Sequence, residues 1–265
     1  EPAVSVSRKV LDLAGVQNVP VVMSTSRGKN PFPTAWRKSV YIADVLPVLN
    51  QQKSQSAPLS AESGAQFLVR QIKSSRQPVT LLVTGPLSTI SDALKADSSV
   101  AANIAKIIWM GGALQVPGNV SLSDEPSHDG TAEWNAYFDP LAVEMVWKSR
   151  VPIVLCPLDT TNQVPVTSEF MKRISSLRQY PLADFAGQIL ALPYAEGGVF
   201  FFWDALTAAY LEKPDLFKTV EWEVAVVTDG RSQGRLISRP GSGRKIRALE
   251  APDGAAFQNS LLRLL

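Results

Sequence analysis

Residues 79–88 read Val79-Thr80-Leu81-Leu82-Val83-Thr84-Gly85-Pro86-Leu87-Ser88. The run Val79 to Val83 is nearly continuous in apolar character, the mark of a strand buried on both faces of a parallel sheet. Thr84-Gly85-Pro86 breaks that strand, and Leu87-Ser88 opens a helix. The same grammar recurs downstream. Ile104 to Met110 leads into a second such strand, ended by Gly111-Gly112, and Val151 to Leu155 makes a third. Between them, Ser60 to Ile72 and Asp139-Pro140 to Lys148 carry helical patterns. Strand, loop and helix in repetition predict an α/β fold with a mostly parallel central sheet flanked by helices. Ligands gather at the carboxyl ends of such strands. That edge holds Thr84, Met110, the loop 113–135 and the segment after Leu158.

Towards the N-terminus, Val4, Val10, Leu11 and Leu13 suggest a helix ended by Gly15, and Val21-Val22-Met23 a short strand. Residues 25–37 are loop-like, with Gly28, Pro31 and Pro33, and the Gln- and Ser-rich residues 50–60 read as a surface loop. Towards the C-terminus, helical patterns run over 168–177, 182–192 and 203–210. Glu221–Thr228, Gly234–Ser238 and Lys245–Leu249 then alternate as strands, before a last helix over 255–264. No repeat or linker divides the 265 residues, which predicts one domain.

A hydrophobic content of 45% supplies a core, and 19% charged residues exclude a disordered or coiled-coil chain. A net charge of +2 without a Lys/Arg run argues against nucleic acid or an acidic membrane surface as partner. No apolar stretch approaches the ~20 residues of a transmembrane helix. The first residue is Glu1, so a leader peptide stays open. Cys156, the one cysteine, lies in a strand-like apolar run and reads as a small buried hydrophobe. His128, the one histidine, sits between Ser127 and Asp129 at what reads as a mobile loop tip. Adjacent residues make no catalytic triad, and one His with one Cys excludes a structural zinc.

Several residues suit a polyhydroxylated ligand. Glu133 accepts from hydroxyls, while the amides of Asn135 and Asn119 both donate and accept, although an exposed polar loop is an equal reading. Asp159 follows a buried strand and is either a site residue or a helix-capping turn. The carbonyl of Thr84 at its turn suits a hard cation, unless Ser88 or Thr89 simply caps the next helix. Asp204 follows Phe200-Phe201-Phe202-Trp203 and needs a partner in so apolar a setting, a cation being the simplest.

In order and spacing these motifs resemble the inosine–uridine-preferring nucleoside hydrolases. The resemblance runs from about Val4 to the C-terminus. It is carried by Val83-Thr84-Gly85-Pro86-Leu87-Ser88, Trp109-Met110-Gly111-Gly112, Pro117-Gly118-Asn119-Val120 and Ala132-Glu133-Trp134-Asn135. Asp139-Pro140, Leu158-Asp159-Thr160-Thr161-Asn162-Gln163 and Trp203-Asp204 complete it. It implies cleavage of the N-glycosidic bond of a nucleoside into base and ribose, with one Ca²⁺ at the pocket floor. By motif matching, Thr84 and Asp204 would ligate the ion. Asn119, Glu133 and Asn135 would grip ribose hydroxyls, with Met110 packed near the sugar. It further implies a small-molecule nucleoside as partner, and homo-oligomers.

Two departures shape the expectation. Where many relatives carry His before the metal-binding Asp, this chain has Trp203, which can stack a purine but not protonate a leaving base. That points to purine nucleosides. Trp36 is either a second wall of the base pocket or a structural ring. The family's Asp-x-Asp-x-x-x-Asp-Asp turn, source of two metal carboxylates and the general base, occurs nowhere here. The expectation is a chain that begins after the first strands of the fold, binds Ca²⁺ weakly and turns over little. The alternative is a non-catalytic nucleoside- or sugar-binding protein on the same scaffold.

Overall fold

The N-terminal amphipathic run folds as helix α1 (Pro2–Leu13) and leads into a short strand, β1 (Val21–Val22). A computed structural model describes residues 2–51, 57–177, 180–195, 199–241 and 243–265. After β1 come α2 (Arg37–Asp44), β2 (Leu59–Ser60), α3 (Gly64–Ser74), β3 (Val79–Val83), α4 (Ser88–Ala96) and β4 (Ile104–Met110). The middle holds α5 (Trp134–Phe138), α6 (Pro140–Lys148), β5 (Ile153–Cys156), α7 (Leu158–Thr161), α8 (Ser168–Ser175) and α9 (Pro181–Ala195). The chain closes with α10 (Trp203–Glu212), β6 (Lys218–Val226), β7 (Leu236–Ser238), β8 (Arg244–Glu250) and α11 (Gly254–Leu264).

The main sheet has the order β3-β4-β5-β8-β6-β7, and β1 pairs with β2 in a separate parallel ribbon. β3, β4, β5 and β8 run parallel, while β6 is antiparallel to both β8 and β7. Side chains alternate across the sheet. Ile107, Trp109 and Leu155 face one layer with Leu94 of α4 and Val143, Val146 and Trp147 of α6. Ile108, Val154 and Cys156 face the other with Phe170 of α8, Leu206 of α10 and Phe257 of α11. Met110 is level with Cys156 at the carboxyl ends, so β4 and β5 deliver their last residues to one edge.

Caps fix where the helices begin and end. Ser63 and Gln66 form a reciprocal capping box, which starts α3 at Gly64 rather than at Ser60. Asp139 accepts from Ala142 N–H with Pro140 at the first helical position of α6. At the other end of α6, the Arg244 guanidinium donates to the carbonyls of Val146 (3.0 Å) and Trp147 (2.9 Å), and to that of Val151.

The sequence predicts β3 to be buried on both faces, and the fold corrects that. β3 is only half-buried, with Leu82 39% exposed. It ends the sheet, so among the described residues its outer edge has no partner strand. The short helices α5 and α7, four or five residues each, are too brief to show a helical apolar period. Of the surface loop expected over 50–60, residues 52–56 lie outside the described residues, and β2 occupies its end. Among the described residues no helix is long and apolar enough to cross a membrane.

Candidate functional site

The carboxyl edge of β4 is organised by α5. Glu133 is its N-cap, an unusual choice over Ser, Thr, Asp or Asn. Its Oε1 accepts from Asn135 N–H (2.9 Å), and its Oε2 from the N–H groups of Gly112 (2.9 Å) and Ala136 (3.3 Å). Glu133 is 3% exposed. Burial pushes its carboxyl up to about 7, against the pull of three N–H donors and with a further push from the charge of Asp204. Oε1 retains a free acceptor position.

Asn135 points back at β4. Its Nδ2 donates to the Met110 carbonyl (3.1 Å) and lies 3.5 Å from the Met110 sulfur, which leaves Oδ1 uncommitted. Asn119 arrives from the long loop. Its Oδ1 accepts from Trp134 N–H (3.0 Å), so its amide NH₂ faces outward at an exposed position. Gly118 makes that approach possible, because a Cβ there would stand 2.1 Å from the Ala132 carbonyl oxygen.

Trp203 starts α10 and packs with Val116 against Met110, Ala113 and Leu158. Phe200 meets its ring edge-on at 4.7 Å, and Phe201 lies at 5.7 Å. Its Nε1 is buried without a partner. Asp204 lies in the first turn of α10 and keeps part of its surface open to solvent, while desolvation by the surrounding protein pushes its carboxyl up to about 6. Thr84 is exposed just past β3, whose Val83 is level with Trp109 of β4. Neither Ser88 nor Thr89 caps the helix that follows; the N-cap of α4 is Leu87, which offers no side-chain acceptor.

Met110, Glu133, Asn135, Trp203 and Asp204 thus converge, Asn119 joins them through Trp134, and Thr84 stands at the neighbouring strand end. The alternatives left open for Asp159 and Trp36 are filled by local contacts. Asp159 clamps the loop after β4 by accepting from Leu114 N–H (2.8 Å) and Gln115 N–H (2.7 Å). Trp36 meets Trp134 at 4.6 Å, and Phe32 stacks on Phe138 at 4.9 Å, which ties loop 25–37 to α5. Cys156 is fully buried and its thiol is pushed up to about 12, an inert side chain.

His128 is not a mobile tip: it is 2% exposed. Its Nδ1 accepts from Gly130 N–H (2.9 Å), which leaves the proton on Nε2 to donate to the Gln233 carbonyl (3.0 Å). Sequence reading missed this because the partner lies 105 residues away.

A Ca²⁺ ion takes about six to eight oxygens. The Thr84 carbonyl and the Asp204 carboxylate are the two groups expected to face such an ion. Among the described residues no group of three or more His, Cys, Asp or Glu converges to complete its coordination. The residues present do not fit a whole calcium site.

The chain matches the family described as inosine-uridine preferring nucleoside hydrolase over residues 1–259. It is 34% identical over 175 residues to a pyrimidine-specific ribonucleoside hydrolase RihA of Shewanella baltica, a match covering 63% of this chain and 52% of that protein. The chain spans about half the length of the curated relatives it matches. It superposes with a TM-score of 0.92 and 38% identity on the crystal structure of an inosine-uridine preferring nucleoside hydrolase from Bacillus anthracis, covering 100% of this chain and 85% of that one. A purine-preferring ribonucleoside hydrolase from Gardnerella vaginalis shares the fold, with a TM-score of 0.71, 23% identity, and coverage of 98% of this chain and 84% of that one. With the ordered motifs gathered at one sheet edge, the chain belongs to the inosine–uridine preferring nucleoside hydrolase family.

Proposed function

We propose that this chain serves N-ribohydrolase chemistry: a nucleoside enters the cleft, its C1′–N bond breaks, and water supplies hydroxyl to C1′ and a proton to the base. The convergence of Glu133 and Asp204 carries the reading. Positive charge builds on the ribose as the bond breaks. The buried Glu133 carboxyl, without a cationic partner among the described residues, and the Asp204 carboxyl whose charge reaches it both gain when a cation forms beside them. The free Oε1 position of Glu133, Oδ1 of Asn135 and the Asn119 amide would bind ribose hydroxyls. Met110 would back the sugar. Trp203 would stack the base and favours a purine, since a larger ring covers more of the indole.

Thr84 and Asp204 would contribute to a Ca²⁺ site. The sequence contains no Asp-x-Asp-x-x-x-Asp-Asp turn, so no residue is assigned as the base that deprotonates the attacking water. The same observation, with the lack of three converging ligands among the described residues, favours a second reading: nucleoside binding without turnover.

Incubation with inosine or uridine, with and without calcium, separates the two. Tryptophan fluorescence reports binding and chromatography reports free base. The first reading expects tighter binding of inosine and slow, calcium-dependent release of hypoxanthine. Binding without release under any condition selects the second. Absence of saturable nucleoside binding by the folded chain would sink both.

A further inference from the structure

A recess of about 490 Å³ opens beside the start of α4, lined in part by Arg27, Lys29 and Arg37 from one side and by Ser88 and Thr89 from the other. Arg27 donates to the Ser26 carbonyl (2.8 Å) and pairs with no carboxylate among the described residues. Arg37 has neither an ion pair nor a hydrogen bond among them. It also occupies the first turn of α2, which holds no acid and where the helix dipole disfavours a cation. Lys29 reaches the Thr228 carbonyl (2.9 Å) and the exposed Asp229 carboxylate (3.4 Å). The other nearby acid, Asp139, is committed: it accepts from Ser88 Oγ (2.6 Å) and from Ala142 N–H (3.1 Å).

Three exposed cations line one concavity, Asp229 is the one carboxylate that meets any of them among the described residues, and two guanidinium groups match the oxygens of a phosphate. The loop that carries Arg27 and Lys29 is anchored, not loose. Asn30 N–H donates to the Phe138 carbonyl (2.9 Å), and Asn30 Nδ2 to the Tyr137 carbonyl (2.5 Å). The first-turn N–H groups of α4 add donors, since Leu87 caps none of them. We infer that this recess is an oxyanion site that takes a phosphate group through Arg27, Arg37 and Lys29. Its volume exceeds a bare ion, which leaves room for an organic substituent. The site is independent of the nucleoside reading, and neither requires the other.

Calorimetric titration of the folded chain with inorganic phosphate, with a nucleoside 5′-monophosphate and with its parent nucleoside tests this. Saturable phosphate binding is expected, weakening at least about tenfold in the Arg27→Gln/Arg37→Gln double variant and falling with added salt. A monophosphate that outbinds its nucleoside, with the advantage lost in the variant, supports the site and makes the ligand a nucleotide. Equal binding of monophosphate and nucleoside beside saturable inorganic phosphate supports it as a free-phosphate site. No saturable phosphate binding, or the same isotherm in wild type and variant, overturns it. Should the double variant unfold, Arg37→Gln alone keeps the test, because Arg37 has no partner to lose.

Discussion

The charge of Asp204 acts on the carboxyl of Glu133 and adds a little to the burial that lifts Glu133 to about 7. An acid whose folded value lies above its unfolded 4.5 binds protons more readily when folded. Stability is therefore lost as pH rises from about 4.5 to about 7, by roughly 3 kcal/mol. Urea midpoints measured without divalent metal should fall between pH 5 and pH 8. In Glu133→Gln, which has no proton to lose, that fall should shrink to the smaller part, below about pH 6, that the raised carboxyl of Asp204 contributes. An equal fall in both proteins would remove Glu133 as its source.

Trp203 is proposed to hold the base by stacking. Replacement by Ala should cost about 1–3 kcal/mol in purine affinity, the range for base–aromatic stacking, and less for a pyrimidine. Paired titrations of Trp203→Ala with inosine and uridine give the ratio. Because the ring also packs against Met110 and Leu158, some affinity for both should be lost. Equal losses would remove the basis for a purine preference.

Much of this was legible in the sequence. β4 and β5 are short apolar runs punctuated by Gly111-Gly112 or Pro157, and such runs announce themselves. The motif order brought Met110, Glu133, Asn135 and Trp203-Asp204 to one edge because parallel strands send their carboxyl ends the same way. What was not legible depends on distant partners. The apolar pattern of β3 says nothing of how many strands flank it, and only the sheet order makes it an edge. The polar neighbours of His128 suggest exposure, yet Tyr137 and the Gln233 carbonyl bury it. Asp159 carries no local sign that it serves N–H groups 45 and 44 residues earlier.

His128 pins the long loop to the β6–β7 connection, with Asp129 reinforcing it through Ser232 Oγ and through its own N–H to the Arg231 carbonyl (3.0 Å). His128→Ala would strand the Gly130 N–H and the Gln233 carbonyl and open a gap against Tyr137. A loss of about 2–4 kcal/mol is expected, read as a lower urea midpoint. Nucleoside affinity should fall as well, because the same loop carries Asn119. An unchanged midpoint would show that the loop is held by other contacts.

The cation site proposed at Thr84 and Asp204 draws on one carbonyl and one carboxylate among the described residues. Calcium should therefore bind weakly, with a dissociation constant on the order of millimolar, at or beyond the weak end of protein calcium sites. Asp204→Asn should abolish the signal in a calcium titration, since the carbonyl of Thr84 carries no charge. Micromolar binding, or binding that survives Asp204→Asn, would mean that other oxygens complete the site.

Gly118 packs its backbone against that of Ala132, just before α5 begins. A Cβ there would meet the Ala132 carbonyl oxygen at 2.1 Å and the Ala132 nitrogen at 2.5 Å, both backbone atoms that cannot swing aside. The N–H groups of Asn119 (3.0 Å) and Val120 (3.2 Å) donate to that same carbonyl. Gly118→Ala should push the strands of the loop apart, break this pairing and displace the Asn119 amide. A stability loss of about 1–3 kcal/mol is expected from the overpacking. Nucleoside binding should weaken beyond what that loss explains, because Asn119 Oδ1 can no longer meet Trp134 N–H. Full affinity in a folded Gly118→Ala protein would separate Asn119 from the ligand and leave Glu133 and Asn135 as the residues that hold the sugar.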